Sequence, residues 1–371
     1  MHLKDKHIVL VCSEFPPQPG GIGTHAHQVA NYLCQSGYLV TVITDMRSKS
    51  GMVERDFDAG LAFKVKRIKW CRWRVLMYID RLLTVFKQIG RASIVLASGK
   101  FSLWSVGLFS LFFNSKYIAV VHGSEVNYKP ILLKQSVTMA LRRFNRVIAV
   151  SHFTKGLIAK LGIDHVAVIP NGYDPHMWQP KIEQSIALVG SPKLITVGRI
   201  SERKGQLEVI KNLPALLAFY PNIHYHCIGL ADANAECLDM VKKLGVMEHV
   251  TFHGVLDKAV LPAYVAAGDI FVMLSTETDQ GDVEGFGIAI IEANAMGVPA
   301  IGTKDSGVED AINDGVSGLL VPQKDTANLR EAVDTILQHK DRFRDGALAW
   351  AEQHQWHHVI RRYVDVVEDG R

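Results

Sequence analysis

The chain has 371 residues, 48% of them hydrophobic and 21% charged, with 30 glycines and 13 prolines, a composition that excludes disorder, collagen-like repeats and a disulfide-stapled miniprotein. Its length exceeds what one hydrophobic core usually supports, so two domains with a cleft between them are expected. The formal charge of +4 conceals a division: residues 1–170 carry 23 Lys and Arg against 9 Asp and Glu, and residues 171–371 carry 18 against 28.

Residues 7–12 (His-Ile-Val-Leu-Val-Cys) form an apolar run of strand length, too short for the core of a secretory signal. A helix is expected over 24–36, and further strands at 40–44, 94–97, 117–122 and 147–151. Runs such as 117–121 are apolar without alternation, which suits parallel strands covered on both faces. Residues 64–91 hold nine Lys and Arg and one acid, Asp80, interleaved with Trp70, Trp73, Leu76, Met77, Leu82, Leu83 and Phe86. Two readings suit this segment: a helix packed on its own sheet with a solvated basic face, or a partner surface of anionic lipid. No nucleic-acid module accompanies the charge, so nucleic acid is not an expected partner. Residues 101–113 are the longest other apolar stretch, and Ser102, Ser105 and Ser110 interrupt it short of a membrane span. Residues 171–192, rich in Pro, Gly and polar side chains, read as a linker. Strands are then expected at 193–198, 224–229, 250–253, 270–274, 299–302 and 318–321, separated by helices such as 206–219 and 284–296. This order predicts an α/β chain of two doubly wound domains. Cys12, Cys34, Cys71, Cys227 and Cys237 are scattered singly, so neither a zinc site nor a disulfide framework is expected, and a reducing compartment is.

In open α/β sheets ligands sit beyond the carboxyl ends of the strands, so the chemistry is sought there. After the first strand comes Phe-Pro-Pro-Gln-Pro-Gly-Gly-Ile-Gly at 15–23. Its glycines let backbone amides approach a ligand, and the helix start that follows favours an anion. The spacing is not that of the dinucleotide fingerprint. The strand at 193–198 ends in Gly-Arg-Ile-Ser-Glu-Arg-Lys-Gly at 198–205, where Arg199 and Lys204 suit a departing diphosphate. Glu202 and Arg203 read as the solvated part of that loop. The sharpest feature is Asp-Val-Glu-Gly-Phe-Gly-Ile-Ala-Ile-Ile-Glu at 282–292. It places Glu284 at a helix entry and Glu292 eight positions later, with Gly285 and Gly287 leaving the amides around Phe286 to Ile288 open. Glu292 lies among Ala289, Ile290, Ile291, Ala293 and Ala295, where an unpaired charge is costly, so a ligand or polar partner is expected. Asp279 and Asp282 read as loop acids, and no metal site is expected.

Together with His-Gly-Ser-Glu at 122–125 and Ile-Pro-Asn-Gly-Tyr-Asp at 169–174, these motifs resemble the retaining glycosyltransferases of family 4, over about residues 7–350. The 282–288 segment is most similar to the GDP-mannose-dependent phosphatidylinositol mannoside mannosyltransferases. The resemblance implies the GT-B fold, two Rossmann-like domains facing across a deep cleft. These would be an acceptor domain at 1–173 and a nucleotide-sugar donor domain at 174–353, with a C-terminal helix at 354–371 returning to the first. It implies that Glu284 binds the donor sugar with the backbone of Gly285, Phe286 and Gly287, that Ile288 offers its amide near the phosphates, and that Glu292 holds the ribose hydroxyls. Arg199 and Lys204 hold the diphosphate, joined by Gly20 and Gly21, and His122 touches the donor sugar near the reacting centre.

The implied catalytic group is thus His122, Glu284, Arg199 and Lys204, acting without a protein nucleophile: the diphosphate leaves and the acceptor hydroxyl attacks from the same face. No cofactor is required beyond the nucleotide-diphosphate sugar, GDP-mannose being favoured over a UDP sugar. The expected acceptor is lipid-linked or a glycan, and the expected place is cytoplasmic, peripheral on the inner face of the membrane. Alternatives are a nucleotide-sugar 2-epimerase or inverting GT-B enzyme, and a non-catalytic module that binds nucleotide sugar.

Overall fold

A computed structural model describes residues 6–179, 186–230 and 234–369. They fall into two compact units, Met1–Asn171 with Trp356–Arg371, and Gly172–Gln355.

The first unit runs β1 (His7–Cys12), α1 (Gly21–Gln35), β2 (Leu39–Asp45), α2 (Met52–Ala59), β3 (Lys64–Ile68), α3 (Arg74–Ile89), β4 (Ile94–Ser98), α4 (Lys100–Phe109), β5 (Lys116–Val121), α5 (Ile131–Leu141), β6 (Arg146–Ala149), α6 (His152–Ala159) and β7 (Val166–Val168). The seven strands are parallel, in the order β3-β2-β1-β4-β5-β6-β7. Strands β4 and β5 are buried along their whole length, the consequence of helices covering both faces. The order reverses between β1 and β4, so their carboxyl ends, Cys12 and Ser98, flank this sheet's switch point.

Segment 64–91 departs from the expectation of a helix with a solvated basic face. It divides into β3 and α3, and two of its cations are internal. Arg67 pairs with Asp58 at 2.8 Å and donates to the Pro16 carbonyl at 2.6 Å. Buried Arg81 pairs with Asp45 and lies over the Phe101 ring. The apolar side chains of α3 are largely what solvent meets.

The second unit runs β8 (Lys193–Val197), α7 (Gln206–Leu217), β9 (His224–Ile228), α8 (Asn234–Leu244), β10 (Val250–Gly254), α9 (Leu261–Ala266), β11 (Ile270–Met273), α10 (Ile288–Ala295), β12 (Ala300–Thr303), β13 (Gly318–Val321), α11 (Thr326–Gln338) and α12 (Lys340–Glu352). Its six parallel strands follow the order β10-β9-β8-β11-β12-β13, with the switch point between β8 and β11. Leu194, Ile270, Val272 and Ile301 of the sheet pack with Val209, Leu213, Val333 and Ile336 of α7 and α11 in one core.

The linker expected at 171–192 lies partly outside the described residues. Its first part is built into the second unit: Tyr173 donates its amide to the His354 carbonyl at 3.0 Å, and Trp178 is buried. Helix α12 ends at Glu352, and where a C-terminal helix was expected over 354–371 the chain forms α13 (Trp356–Glu368), which clusters with the first unit. Helix α13 buries Trp356, Val359, Ile360, Tyr363 and Val367. The Lys116 ammonium, at the start of β5, donates to the carbonyls of Val366 (2.6 Å), Val367 (3.2 Å) and Asp369, closing the helix's carbonyl end. Among the described residues no helix is long and apolar enough to cross a membrane.

Candidate functional site

In the second unit the switch point is framed by the loops that follow β8 and β11. The first runs from Gly198 through exposed Arg199 and buried Ile200 into a single 3-10 turn, Glu202–Lys204. Gly205 ends that turn with φ +77° and opens α7. A Cβ there would sit 1.9 Å from the Leu274 carbonyl oxygen, so only glycine lets the two loops touch. Side chains then tie them together: Ser275 Oγ donates to the Arg203 carbonyl at 2.7 Å, and Thr276 Oγ1 to that of Glu202 at 3.3 Å. Gln206 Nε2 donates to the Arg199 carbonyl at 3.3 Å.

This framing brings Lys204 to Glu284, Nζ to Oε2, at 2.9 Å. Arg203 does not belong to a solvated face as the sequence suggests. Its guanidinium pairs with the same carboxylate oxygen and, through Nε, with Asp282 at 3.3 Å. Nothing local to residues 202–204 signals this, since Asp282 and Glu284 lie 79 and 81 positions beyond Arg203; the tight turn presents both cations to one loop. Burial pushes the Glu284 carboxyl's pKa up, but the charges of Lys204 and then Arg203 outweigh it and hold the pKa below the usual carboxylate range.

Glu284 is not at a helix entry. Gly287, at φ +86°, is the cap of α10, and residues 284–287 are loop. The Gly287 amide, expected to be open, donates to the Glu284 carboxylate. Phe286 turns its side chain inward, 6.0 Å from the His354 ring, so only its backbone can serve a ligand.

On α10, Ile290, Ile291, Ala293, Asn294 and Ala295 are buried, while Ile288, Ala289 and Glu292 share the half-buried side. The polar partner that the surroundings of Glu292 demand is the indole of Trp178, from the segment read as linker. Burial raises the Glu292 pKa to about 7 against the Trp178 hydrogen bond and the charges of Lys204 and Lys258. Lys204 therefore bonds Glu284 directly, and its charge lowers the pKa of Glu292.

In the first unit, the loop after β1 is held by Phe15, buried beneath Arg67 at 5.7 Å. Gly20 caps α1 with extended backbone, where a Cβ would meet the Glu14 carboxylate at 2.9 Å, and a Cβ on Gly21 would meet nothing within 4 Å, so the helix start is sterically open at Gly21. His122 follows β5. Its Nε2 is 3.0 Å from Ser98 Oγ at the end of β4, and its amide donates to Glu125 Oε2 at 3.1 Å. Burial raises the Glu125 pKa to about 7.

One residue near His122 escaped the sequence reading. His25 of α1 is buried, its ring edge-on to that of His122 at 5.0 Å, and its Nε2 is 2.9 Å from the Tyr363 hydroxyl of α13. Burial, then the His122 charge, hold the His25 pKa well below the ordinary value, so its ring is neutral. Its neighbour in the sequence Gly-Ile-Gly-Thr-His is the glycine loop, which was the available signal.

Among the described residues no group of three or more His, Cys, Asp or Glu is arranged to hold a metal ion; Asp282 is engaged with Arg203.

Residues 19–176 match the model of Glycosyltransferase Family 4, and residues 179–350 that of the Glycosyl transferases group 1. The chain is 28% identical over 359 residues, 90% of each chain, to the GDP-mannose-dependent alpha-(1-6)-phosphatidylinositol monomannoside mannosyltransferase of Mycobacterium tuberculosis. To the enzyme of that name from Mycolicibacterium smegmatis it is 29% identical, over 69% of this chain and 71% of the relative. Among solved structures, Anabaena HepE in complex with UDP and glucose superposes with a TM-score of 0.79 at 17% identity, covering 98% of this chain and all of that one. Two parallel Rossmann-like sheets, cations and acids at the second sheet's switch point and family models over both halves lead to one conclusion: the chain belongs to the family 4 glycosyltransferases, GT-B-fold enzymes that transfer sugars.

Proposed function

We propose that the protein is a retaining hexosyltransferase that moves mannose from GDP-mannose to a hydroxyl of a lipid-linked or glycan acceptor at the cytoplasmic face of a membrane. The observation that carries this is Lys204, which bonds Glu284 at 2.9 Å and acts electrostatically on Glu292, beside Arg203 and in the loop that begins with Arg199. Such a cluster gives a nucleoside diphosphate sugar cations for its phosphates and separate carboxylates for its sugar and ribose hydroxyls. The choice of GDP-mannose is supported by the mycobacterial relatives, which are named as GDP-mannose-dependent; HepE, crystallised with UDP-glucose, keeps a UDP sugar as the competing donor.

In this mechanism Arg199 and Lys204 stabilise the diphosphate as the anomeric bond breaks, and positive charge develops on the sugar ring. Glu284 orients that sugar, with the backbone from Gly285 to Ile288, and Glu292 holds the ribose. His122 is assigned to the reacting sugar, and Gly20 and Gly21 to the phosphates. The acceptor hydroxyl attacks the face the diphosphate leaves, and a departing phosphate oxygen takes its proton, so orientation and charge stabilisation supply the rate. The cations take the neutralising part that a divalent ion plays elsewhere.

A melting-temperature screen with GDP-mannose, UDP-glucose and ADP-glucose identifies the donor, because a ligand selective for the folded chain raises it. Transfer with an α-configured product, read by NMR, is the expected result. A β-linked product, or epimerised nucleotide sugar without transfer, refutes retention. Lys204→Ala and Glu292→Ala are expected to abolish transfer with secondary structure unchanged. Turnover at the wild-type rate in either variant sinks the site assignment.

A further inference from the structure

Helix α3 is built the wrong way round for a helix that only covers its own sheet. Its apolar positions Leu76, Ile79, Leu83 and Phe86 repeat at intervals of three and four and so form one stripe. That stripe faces outward, the four residues being 55, 47, 65 and 40% exposed, and Trp73 ahead of it is 72% exposed. The buried side of the helix carries Val85 and Ile89 together with Arg81 and Gln88. Arg81 there needs Asp45 as a counter-ion and Phe101 against its guanidinium. A soluble helix gains by burying the leucines and exposing the arginine; this one does the reverse, which leaves an apolar surface unpartnered.

The surface continues beyond α3. Phe86 touches the ring of exposed Phe112, which follows α4, at 6.0 Å. Exposed cations flank the helix along the chain: Lys64, Lys66, Lys69 and Arg72 ahead of it, Lys87 and Arg91 at its far end. Lys49 lies over the Trp70 ring at 5.7 Å. Asp80 is the single acid of segment 64–91.

We propose that this face of the first unit lies on an anionic lipid bilayer, with α3 parallel to the surface and its stripe from Trp73 to Phe86 seated at the boundary of headgroups and acyl chains. Charge selects this occupant over a second copy of the chain. A symmetric pairing through the stripe brings two basic rims together, whereas anionic headgroups neutralise one. An apolar stripe on one side, cations at both ends and tryptophans at the border are the features of a helix that rests in an interface and does not span it. This deepens the proposed function, since it names the surface that would carry the enzyme to a lipid-linked acceptor. It holds or fails on its own observations.

The test is flotation of the full chain with vesicles of phosphatidylcholine alone and of equimolar phosphatidylcholine and phosphatidylglycerol. The wild type is expected to float with the anionic vesicles, less as salt rises, and to stay behind with the neutral ones. The triple variant Leu76→Gln, Ile79→Gln, Leu83→Gln removes apolar contact without touching a charge and is expected to weaken flotation at least about tenfold. Its melting temperature and its hydrolysis of free donor should match the wild type. If that variant does not fold, quenching of wild-type tryptophan fluorescence by brominated lipid, abolished by Trp73→Phe with Trp70→Phe, reads the same contact. Wild type that does not float, or a folded triple variant that floats equally well, overturns the proposal. So does a wild-type dimer in solution that becomes monomeric in the triple variant while neither floats, because the stripe is then a self-association seam. Flotation without any glycosyl transfer refutes the proposed function and leaves the membrane face standing.

Discussion

Glu292→Gln separates the electrostatic cost of the α10 carboxyl from its use. In the folded chain burial lifts this group from the ordinary glutamate value of 4.5 to about 7, even with Trp178 hydrogen-bonded to it. Between those values the unfolded chain has lost the proton and the folded chain keeps it. Stability contributed by the protonated form is therefore complete below about pH 4.5 and lost as pH rises through about 7. The displacement corresponds to at most about 3 kcal/mol, and the half-exposed position of Glu292 lowers this toward about 1–2 kcal/mol. Glutamine keeps an oxygen for the Trp178 indole and has nothing to titrate. The variant's advantage over the wild type should be smallest near pH 4 and should grow to about 1–2 kcal/mol at pH 8. Buried Glu125, also raised to about 7, titrates in the same window but cancels in the difference, as do His25, His224 and His226 with their lowered values. Urea titrations read by hydrogen exchange of β8 and α10 amides report the second unit separately from the first. A difference that stays constant from pH 5 to pH 8, or a variant less stable at pH 8, refutes the account of Glu292 as a carboxylate held at a cost.

Gly205→Ala is expected to lose at least about 2–3 kcal/mol in thermal or urea melts, because φ +77° and a Cβ 1.9 Å from the Leu274 carbonyl force the two strand-end loops apart; an unchanged melting temperature would contradict their contact. Tyr363→Phe leaves His25 Nε2 without its 2.9 Å partner beside an Nδ1 that is already unpaired, at a cost of about 1–2 kcal/mol in the first unit's melt. Because His25 packs against His122, the same variant should lower kcat several-fold while donor affinity in a melting-shift titration stays as in the wild type. A fall in donor affinity with kcat intact would show that His122 is not reached through this ring.

The parallel strands were legible because their apolar runs do not alternate, which is the mark of a sheet covered on both sides. β3 was not, since Lys-Val-Lys-Arg-Ile at the sheet's edge alternates charge with apolar residues and merges into the basic segment that follows. β7, three residues long, is too short to register a pattern. At the site, Lys204, Glu284 and Glu292 stood out because charges beside glycines at strand ends are locally unusual. Their partners did not. Arg203 and Trp178 acquire meaning only from contacts across long stretches of chain, and His25 from a helix more than 300 residues away. The orientation of α3 stayed open between two readings for a related reason: periodicity shows that a helix has an apolar side but is silent on which way that side turns.

The return of α13 to the first unit also bears on how the chain is made. Residues 356–371 complete a body whose other residues are all in place by Asn171, whereas Gly172–Gln355 is continuous. As the chain leaves the ribosome the second unit can reach its full contact set while the first still lacks Trp356, Tyr363 and the carbonyls that Lys116 caps. The usual amino-to-carboxyl order of domain maturation is thereby inverted. Until α13 emerges, the α1 surface that receives Trp356 and Tyr363 remains bare, and chaperone engagement during synthesis is expected to centre on that surface and not on the later-made half.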